Sequence, residues 1–522
     1  MTAPSGPAGT PALRSRGGSL RMLLAAAAGA ATVFGFAPFG AAVVPLVTLT
    51  LLFLLWQDAA TPRAAAWPGF VFGFALFCAG VSWIANALST FGGMPWIAAL
   101  FAVAVMCAFL ALYVAAAGWL AVRWTAPRTW QRALAAAGAW TLAEWVRSVA
   151  LTGFGWLSLG YSQLPDGGVA PLAPYAALGG VFAVSLVIAL SAGALTLAID
   201  AFAGASVRRG VAWLAGIVAL AAGGMALDRV EWTAPSGSPV AVSLLQGNVA
   251  QHLKFDPDFR TATFELYAEL AKQSRGRLIV LPESAFPMFV DEVPEEVLLG
   301  LMQIAAARDG DVLIGLFTLE PPLPGMRHAR YYNSVVALGA AEPQIYRKRH
   351  LVPFGETIPF ERWLAPILDS FLAIPLASQA HGDADPPPLA VAGEKVGVDI
   401  CYEDTFGADI RPQARAATLL VNVTNDAWYG GSIGALQHNQ IAGMRALETG
   451  RPLLRATNTG VTSAFDHHGR ETARLPWFTR GILEVSVQGR QGETPYVRVG
   501  DAPAALIAAL LIAFAAWRRR SR

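Results

Sequence analysis

Three residues whose side chains together could carry an acyl group stand at the ends of apolar runs in this sequence. Cys401 follows VGVDI and precedes the polar Tyr402-Glu403-Asp404. A strand that turns abruptly into a helix pushes such a side chain out of its sheet, and backbone N–H groups beyond the turn can face a developing oxyanion. Glu283 lies in LPES, one proline beyond Ile279 to Leu281, where a carboxylate has little reason to sit unless it faces a cleft. Lys348 lies in IYRKRHLVPFGE and is one of four lysines in a chain with 34 arginines. A compact ammonium is not interchangeable with a guanidinium, so its use here is a signal. Each residue alone has an ordinary reading: a small buried hydrophobe for Cys401, a helix N-cap region for Glu283, a surface basic cluster for Lys348. Together they supply a nucleophile, a base and an oxyanion partner. A thiol of pKa about 8.5 is only slightly ionised at neutral pH and needs a base. Glu283 fits that role, and Lys348 with the N–H of Tyr402 could hold the tetrahedral oxygen.

Such residues need a scaffold of buried strands. The candidates are VAVSLLQGNV (240–249), RLIVLPES (277–284), DVLIGLF (311–317), YNSVVAL (332–338), KVGVDICYE (395–403), TLLVNVTND (418–426) and PLLRATNTGVTSAF (452–465). Their alternation with polar helical pieces predicts a layered α/β domain over residues 229–500, long enough for one core. Residues 364–392 break the pattern, with FLAIPL (371–376) followed by Gly382 and the prolines Pro386 to Pro388. That is too long for a mere connector.

The rest of the chain is chemically unlike this domain. Of 522 residues, 55% are hydrophobic and 14% charged, against roughly 25% charged in soluble proteins. Residues 1–228 hold ten arginines, no lysine and five acids, whereas 229–500 hold 54 charged residues. A net charge of +2 without long basic runs gives nucleic acid no electrostatic footprint. Apolar stretches at about 20–38, 41–57, 66–88, 94–122, 131–150, 172–201, 210–227 and 502–517 predict about eight transmembrane helices. The fifth contains Glu144 and Arg147, three apart and able to pair within the bundle, in a functional or a purely structural role. The stretch at 151–165 could dip into the membrane without spanning. Arginines follow or precede every second connection, among them Arg21, Arg63, Arg123, Arg128, Arg208, Arg209 and Arg518 to Arg520. Because Lys and Arg favour the cytoplasmic side, both termini read as inside and residues 229–500 as outside. A cleaved signal peptide is the alternative for the first run, but the apolar sequence continues past any cleavage site. Three cysteines, Cys78, Cys107 and Cys401, make no disulfide framework. No metal site is expected, since His467 and His468 read as a turn before Gly469.

The motifs now resemble a known group. YRKRHLVPFGE (346–356), LPES (281–284), DICYE (399–403) and VNVTNDAWYG (421–430) are similar to the Glu, Lys and Cys motifs of the nitrilase, or carbon-nitrogen hydrolase, superfamily. Membrane helices on both sides, the TGFGWLSLGYSQ stretch (152–163) and QGN (246–248) narrow the resemblance to the bacterial apolipoprotein N-acyltransferase family, over nearly the whole chain. One departure is Phe255 in HLKFDP, where the family often has Trp; an aromatic wall is kept.

The resemblance implies a nitrilase-like αββα sandwich at 229–500, a membrane bundle at 1–228 and a last membrane helix with a basic cytoplasmic tail at 501–522. It implies Glu283, Lys348 and Cys401 as the catalytic set, supported by Glu356, Tyr402 and Glu403, without cofactor. The implied reaction moves a fatty acyl chain from a phospholipid, through a Cys401 thioester, to the N-terminal amine of a diacylglyceryl-cysteine apolipoprotein. It is placed at the outer face of the bacterial inner membrane, with one chain read as the working unit. A membrane-anchored amidase using water as acceptor is the alternative, and a transporter with an outer sensor domain is disfavoured by the scarcity of ion-coupling groups in the bundle. Water competes with the amine, so the thioester must stay dry. FLAIPL, with Phe286, Met288 and Phe289, reads as an apolar lid or as ordinary core packing. If it is a lid, Leu372→Asp with Ile374→Asp will impair lipid turnover while leaving the melting temperature in place; unchanged turnover removes the lid.

Overall fold

A backbone in hydrocarbon must satisfy its N–H and C=O groups within its own segment, which leaves an isolated apolar stretch the helix as its one option. The computed structural model describes residues 11–322, 329–358 and 379–520. The first part forms α1 (Pro11–Ala31), α2 (Val44–Gln57), α3 (Pro62–Val81), α4 (Trp96–Arg123), α5 (Trp130–Val149), α6 (Ala176–Ala203) and α7 (Val207–Leu227). Thr61 and Thr129 cap α3 and α5, their hydroxyls accepting from the backbone N–H of Ala64 and Arg132. Among the described residues, five stretches combine the length and apolarity of a membrane span: Gly17–Gly35, Pro62–Val81, Trp96–Arg123, Ala173–Ala203 and Val207–Leu227. They mark a membrane protein.

The other three of the expected eight spans differ for physical reasons. α2 and the stretch Ala502–Trp517 are apolar but fall short of the roughly 20 residues that a full crossing needs. α5 has 20 residues but buries Arg132, Glu144 and Arg147. Arg132 donates to the carbonyls of Trp56, Gln57 and Ala59 at 3.0, 3.0 and 2.7 Å, filling the end of α2 where the helix leaves acceptors unpaired. Glu144 and Arg147 do not form the expected ion pair. Glu144 accepts from Leu159 N at 2.9 Å, and Arg147 donates to the carbonyls of Phe154 and Trp156 and to Ser158 Oγ. Both hold the 151–165 stretch, which makes turns and the short helix Leu159–Gln163 rather than a span.

Beyond α7, β-branched and aliphatic runs alternate with amphipathic pieces and fold as layers. The strands are β1 (Ala234–Pro235), β2 (Val240–Gln246), β3 (Leu278–Val280), β4 (Asp311–Glu320), β5 (Arg330–Gly339), β6 (Gln344–Arg347), β7 (Leu389–Val391), β8 (Glu394–Ile400), β9 (Leu419–Thr424), β10 (Leu453–Thr457), β11 (Ser463–Phe465), β12 (Glu471–Arg474), β13 (Gly481–Val487) and β14 (Arg490–Gln491). Two six-stranded sheets result, ordered β13-β2-β3-β4-β5-β6 and β12-β11-β10-β9-β8-β7. Their centres, β2-β3-β4 and β8-β9-β10, are parallel. Alternation along the strands sends Leu244, Val280 and Leu313 toward Val398, Val421 and Leu454 between the sheets. The opposite positions, Leu245, Ile279 and Ile314, pack under α8 (Arg260–Gln273) and α9 (Glu295–Ala306). On the other side Leu420 and Leu453 pack under α10 (Gly407–Ala416) and α11 (Gly434–Thr449), giving the αββα order.

Two expected strands are corrected. Residues 452–465 form two antiparallel strands, β10 and β11, joined by a turn, and the strand toward Cys401 stops at Ile400. The lid reading of Phe286 and Met288 gives way to its packing alternative, since both are buried in the core under α8 and α9. FLAIPL itself lies outside the described residues. The chain returns to the bundle through α12 (Ala502–Arg520), which packs along α5.

Close packing in the bundle depends on missing side chains. A Cβ on Gly69 of α3 would stand 2.7 Å from the Val114 carbonyl oxygen, and one on Gly118 of α4 would stand 2.7 Å from that of Ala65. Gly69→Val should therefore destabilise the purified protein by roughly 1–3 kcal/mol in thermal unfolding. Gly216→Ala on α7, where a Cβ meets nothing within 4 Å, should have little packing effect.

Candidate active site

Glu283, Lys348 and Cys401 come from three chain segments that the two sheets bring to one end of the sandwich. Glu283 lies just beyond β3, and the next residue, Ser284, has a left-handed backbone at φ +45°. Its carboxylate accepts from Asn333 Nδ2 at 2.7 Å and from the Asn425 backbone N–H at 2.8 Å. Lys348 follows β6, its N–H donating to the Asn333 carbonyl at 2.8 Å. The ammonium is 1% exposed and stands 2.8 Å from Glu356 and 3.5 Å from Glu283. Burial acts to lower its pKa, but the carboxylates of Glu356 and Glu283 outweigh burial and push it up, so it stays charged.

Cys401 opens the short turn after β8 with φ +55°, a left-handed conformation that costs a residue with a Cβ on the order of 1–2 kcal/mol. A strained backbone at a strand end is a frequent mark of a functional residue. Burial pushes the thiol pKa well up, and Glu283 adds to this while Lys348 opposes it. At neutral pH the sulfur therefore keeps its proton until a base removes it.

Glu356 and Glu403 hold the parts in register. Glu356 binds Lys348 with one oxygen and accepts from Val352 N at 2.8 Å with the other. Glu403 accepts from Ile400 N, Arg349 N, His350 N and Tyr346 Oη at 2.7, 2.6, 2.9 and 2.8 Å. It thus clamps the lysine segment of one sheet to the cysteine turn of the other. Tyr402 turns its side chain away, donating to the Gly153 carbonyl of the bundle at 3.3 Å. The 152–163 stretch touches this end again through Thr152 and His350, and through Trp156 Nε1 and Gln437 Oε1 at 2.7 Å.

Sequence reasoning missed three features here and one at the far end of β10 and β11. Lys254 is 4% exposed and donates to the Glu283 carbonyl at 2.9 Å; burial lowers its pKa to about 8, against the pull of Glu283 and Cys401. Its rarity as a lysine was the available signal. Asn333, read only as part of a strand, is the amide that orients Glu283. His438 on α11 lies buried with Arg455, Asp404 and Asp426 beneath Cys401; an arginine inside the apolar PLLRAT was the hint. Finally, His467 and His468, in the turn between β11 and β12, reach Glu231 at 3.1 and 3.2 Å, a carboxylate that Arg490 also binds. Phe255 keeps an exposed aromatic ring beside Lys254. Cys78 and Cys107 sit on α3 and α4.

A double sheet between helix layers, with Glu, Lys and Cys converging at strand ends, defines a carbon-nitrogen hydrolase domain, and residues 241–496 match the model of that family. Residues 28–194 match the apolipoprotein N-acyltransferase N-terminal domain. Apolipoprotein N-acyltransferase of Nitrosomonas europaea is 45% identical over 95% of this chain and 97% of its own length. Those of Methylococcus capsulatus and Ralstonia nicotianae are 42% and 40% identical, each over 96% of this chain and over 96% and 93% of their own lengths. The chain belongs to the apolipoprotein N-acyltransferase family and is an acyltransferase enzyme.

The His438 group ties stability to pH. Burial and Arg455 act to lower the His438 pKa, but Asp404 and Asp426 raise it from 6.5 to about 9. A histidine whose folded pKa is raised favours the folded state while protonated. That contribution is complete below about 6.5 and lost as pH rises through about 9. The melting temperature should fall across this window in the natural protein, and the His438→Gln protein should lack that part of the slope.

Proposed function

We propose that this protein transfers a fatty acyl chain from a membrane phospholipid to the free N-terminal amine of a diacylglyceryl-cysteine apolipoprotein, through a thioester on Cys401. The observation that carries this reading is a buried thiol on a strained turn beside a Glu283–Lys348 pair, in a chain of this family. In the first half-reaction Glu283 takes the thiol proton as sulfur attacks the ester carbonyl. Lys348 and the Tyr402 N–H face the oxyanion of the tetrahedral intermediate, a task in which one donor is worth roughly 3 kcal/mol. Collapse breaks the ester C–O bond, and Glu283 returns the proton to the departing oxygen of the lysophospholipid. In the second half-reaction Glu283 removes a proton from the attacking amine, the C–S bond breaks, and the sulfur regains its proton.

Both substrates live in the bilayer, so the catalytic domain, residues 229–500, works from the outer face, held by the bundle at 1–228 and the last helix at 501–522. The arginine-rich alternate connections support that orientation. Near-complete burial of Lys348 and Cys401 supports an amine rather than water as acceptor, because a dry thioester outlasts its wait. Incubation of the purified protein with phospholipid should add a fatty-acyl mass to the Cys401 peptide. The adduct should vanish when a diacylated lipopeptide is added, and that peptide should become triacylated. Release of the acyl group only to water would make the protein a hydrolase instead.

A further inference from the structure

Beneath Cys401 lies a group of charged side chains that the acyl-transfer steps leave unused. His438 on α11, Arg455 on β10, Asp404 in the cysteine turn and Asp426 beyond β9 are all almost completely buried. His438 Nε2 is 3.0 Å from Asp404 and Nδ1 is 2.9 Å from Asp426. Arg455 binds the same two carboxylates at 3.1 and 3.0 Å. Every neighbour that the two ring nitrogens meet is an acceptor, so the imidazole must carry a proton on each and be a cation. Two cations then balance two anions. Taking four charges out of water costs several kcal/mol per ion before pairing, and such groups are weak evidence of a gain in stability. The geometry gives this one another purpose.

His438 Nε2 also lies 3.2 Å from the carbonyl oxygen of Cys401, and Asn422 Nδ2 donates to that same oxygen at 3.2 Å. Asn422 is in turn gripped by Arg455, whose Nη1 donates to its Oδ1 at 2.6 Å. The charged group thus supplies or fixes both donors that draw the Cys401 carbonyl inward. A trans peptide is planar, with its C=O and N–H on opposite sides. Fixing the carbonyl of Cys401 toward α11 therefore aims the N–H of Tyr402 the other way, out of the core. Without that hold, the Cys401–Tyr402 peptide is free to rotate about the Cα–C bond of Cys401, which turns the Tyr402 N–H away.

We propose that His438 is a positioning residue: clamped between Asp404 and Asp426, its imidazolium holds the Cys401 carbonyl inward so that the Tyr402 amide faces the acyl oxyanion. The inference rests on the thioester reading above. Its distinguishing consequence is a split between two reactions of one sulfur. Acylation builds a tetrahedral oxyanion and needs the amide, whereas alkylation by iodoacetamide is displacement at a saturated carbon and builds none.

The test uses the full-length protein with phospholipid, in His438→Gln and in the charge-balanced Asp404→Asn/His438→Leu double variant, which leaves Arg455 and Asp426 as a pair. The single-turnover rate of Cys401 thioester formation should drop on the order of 100-fold, as for loss of one oxyanion donor. Iodoacetamide should alkylate Cys401 at close to the natural rate. Thioester formation at the natural rate in either folded variant would overturn the proposal, as would acylation and alkylation falling in parallel. Absence of any thioester in the natural protein would instead overturn the proposed function, and this inference with it.

Discussion

An ammonium group that water does not reach is the constraint on which the candidate active site of this protein is built. Lys348 keeps its charge only because Glu356 and Glu283 flank it, and an unpaired ion there would cost several kcal/mol. Each carboxylate must in turn be held still. Glu283 is fixed by Asn333 and the Asn425 amide, and Glu356 by the Val352 amide. Those anchors come from β5, from the segment beyond β9 and from the loop after β6, so the placing of one cation enlists both sheets. Glu403 then ties the lysine segment to the cysteine turn through four donors. The thiol is held protonated by the same dryness that makes the lysine so demanding.

Much of this is legible in the sequence alone, because strong local signals coincide with the candidate site. A carboxylate ending LIVLP, a cysteine ending VGVDI and a lone lysine among arginines are anomalies against an apolar or arginine-rich background. A layered α/β domain followed from strand-length apolar runs separated by helical pieces, and its sandwich form from the family resemblance. What stayed hidden depends on contacts between residues far apart in the chain. His438 is an unremarkable residue on a polar-looking helix until the fold brings it under Cys401, and Asn333 looks like any alternate position in YNSVVAL. The edge strands β6, β7 and β12 were missed because they are short, and short strands carry little periodicity. The Glu144–Arg147 pair failed for a related reason. Helical spacing brings two side chains near each other, but the backbone groups of the 154–159 turns were in greater need of partners.

Charge burial in the bundle follows the same rule as in the carbon-nitrogen hydrolase domain. Arg132 ends its reach at the carbonyls closing α2, Arg147 at carbonyls of a segment that is not a regular helix, and Glu144 at a backbone N–H of that same segment. In each case an ionic side chain completes a backbone that hydrocarbon would otherwise leave unsatisfied. The buried charges of α5 are thereby accounted for as backbone partners, and the segment they secure is the one that meets Tyr402 and His350.

Entry to and exit from the carbon-nitrogen hydrolase domain lie side by side, since β1 and β14 pair where the chain leaves α7 and where it heads back to α12. A body tethered only there could still swing about that pair like a door on its hinge. The 152–163 stretch acts as the latch, bonded at its far side to the cysteine turn and to Gln437 of α11. Hinge and latch together oppose the swing. The height and bearing of the sulfur relative to the bundle are thereby set from both sides of the domain.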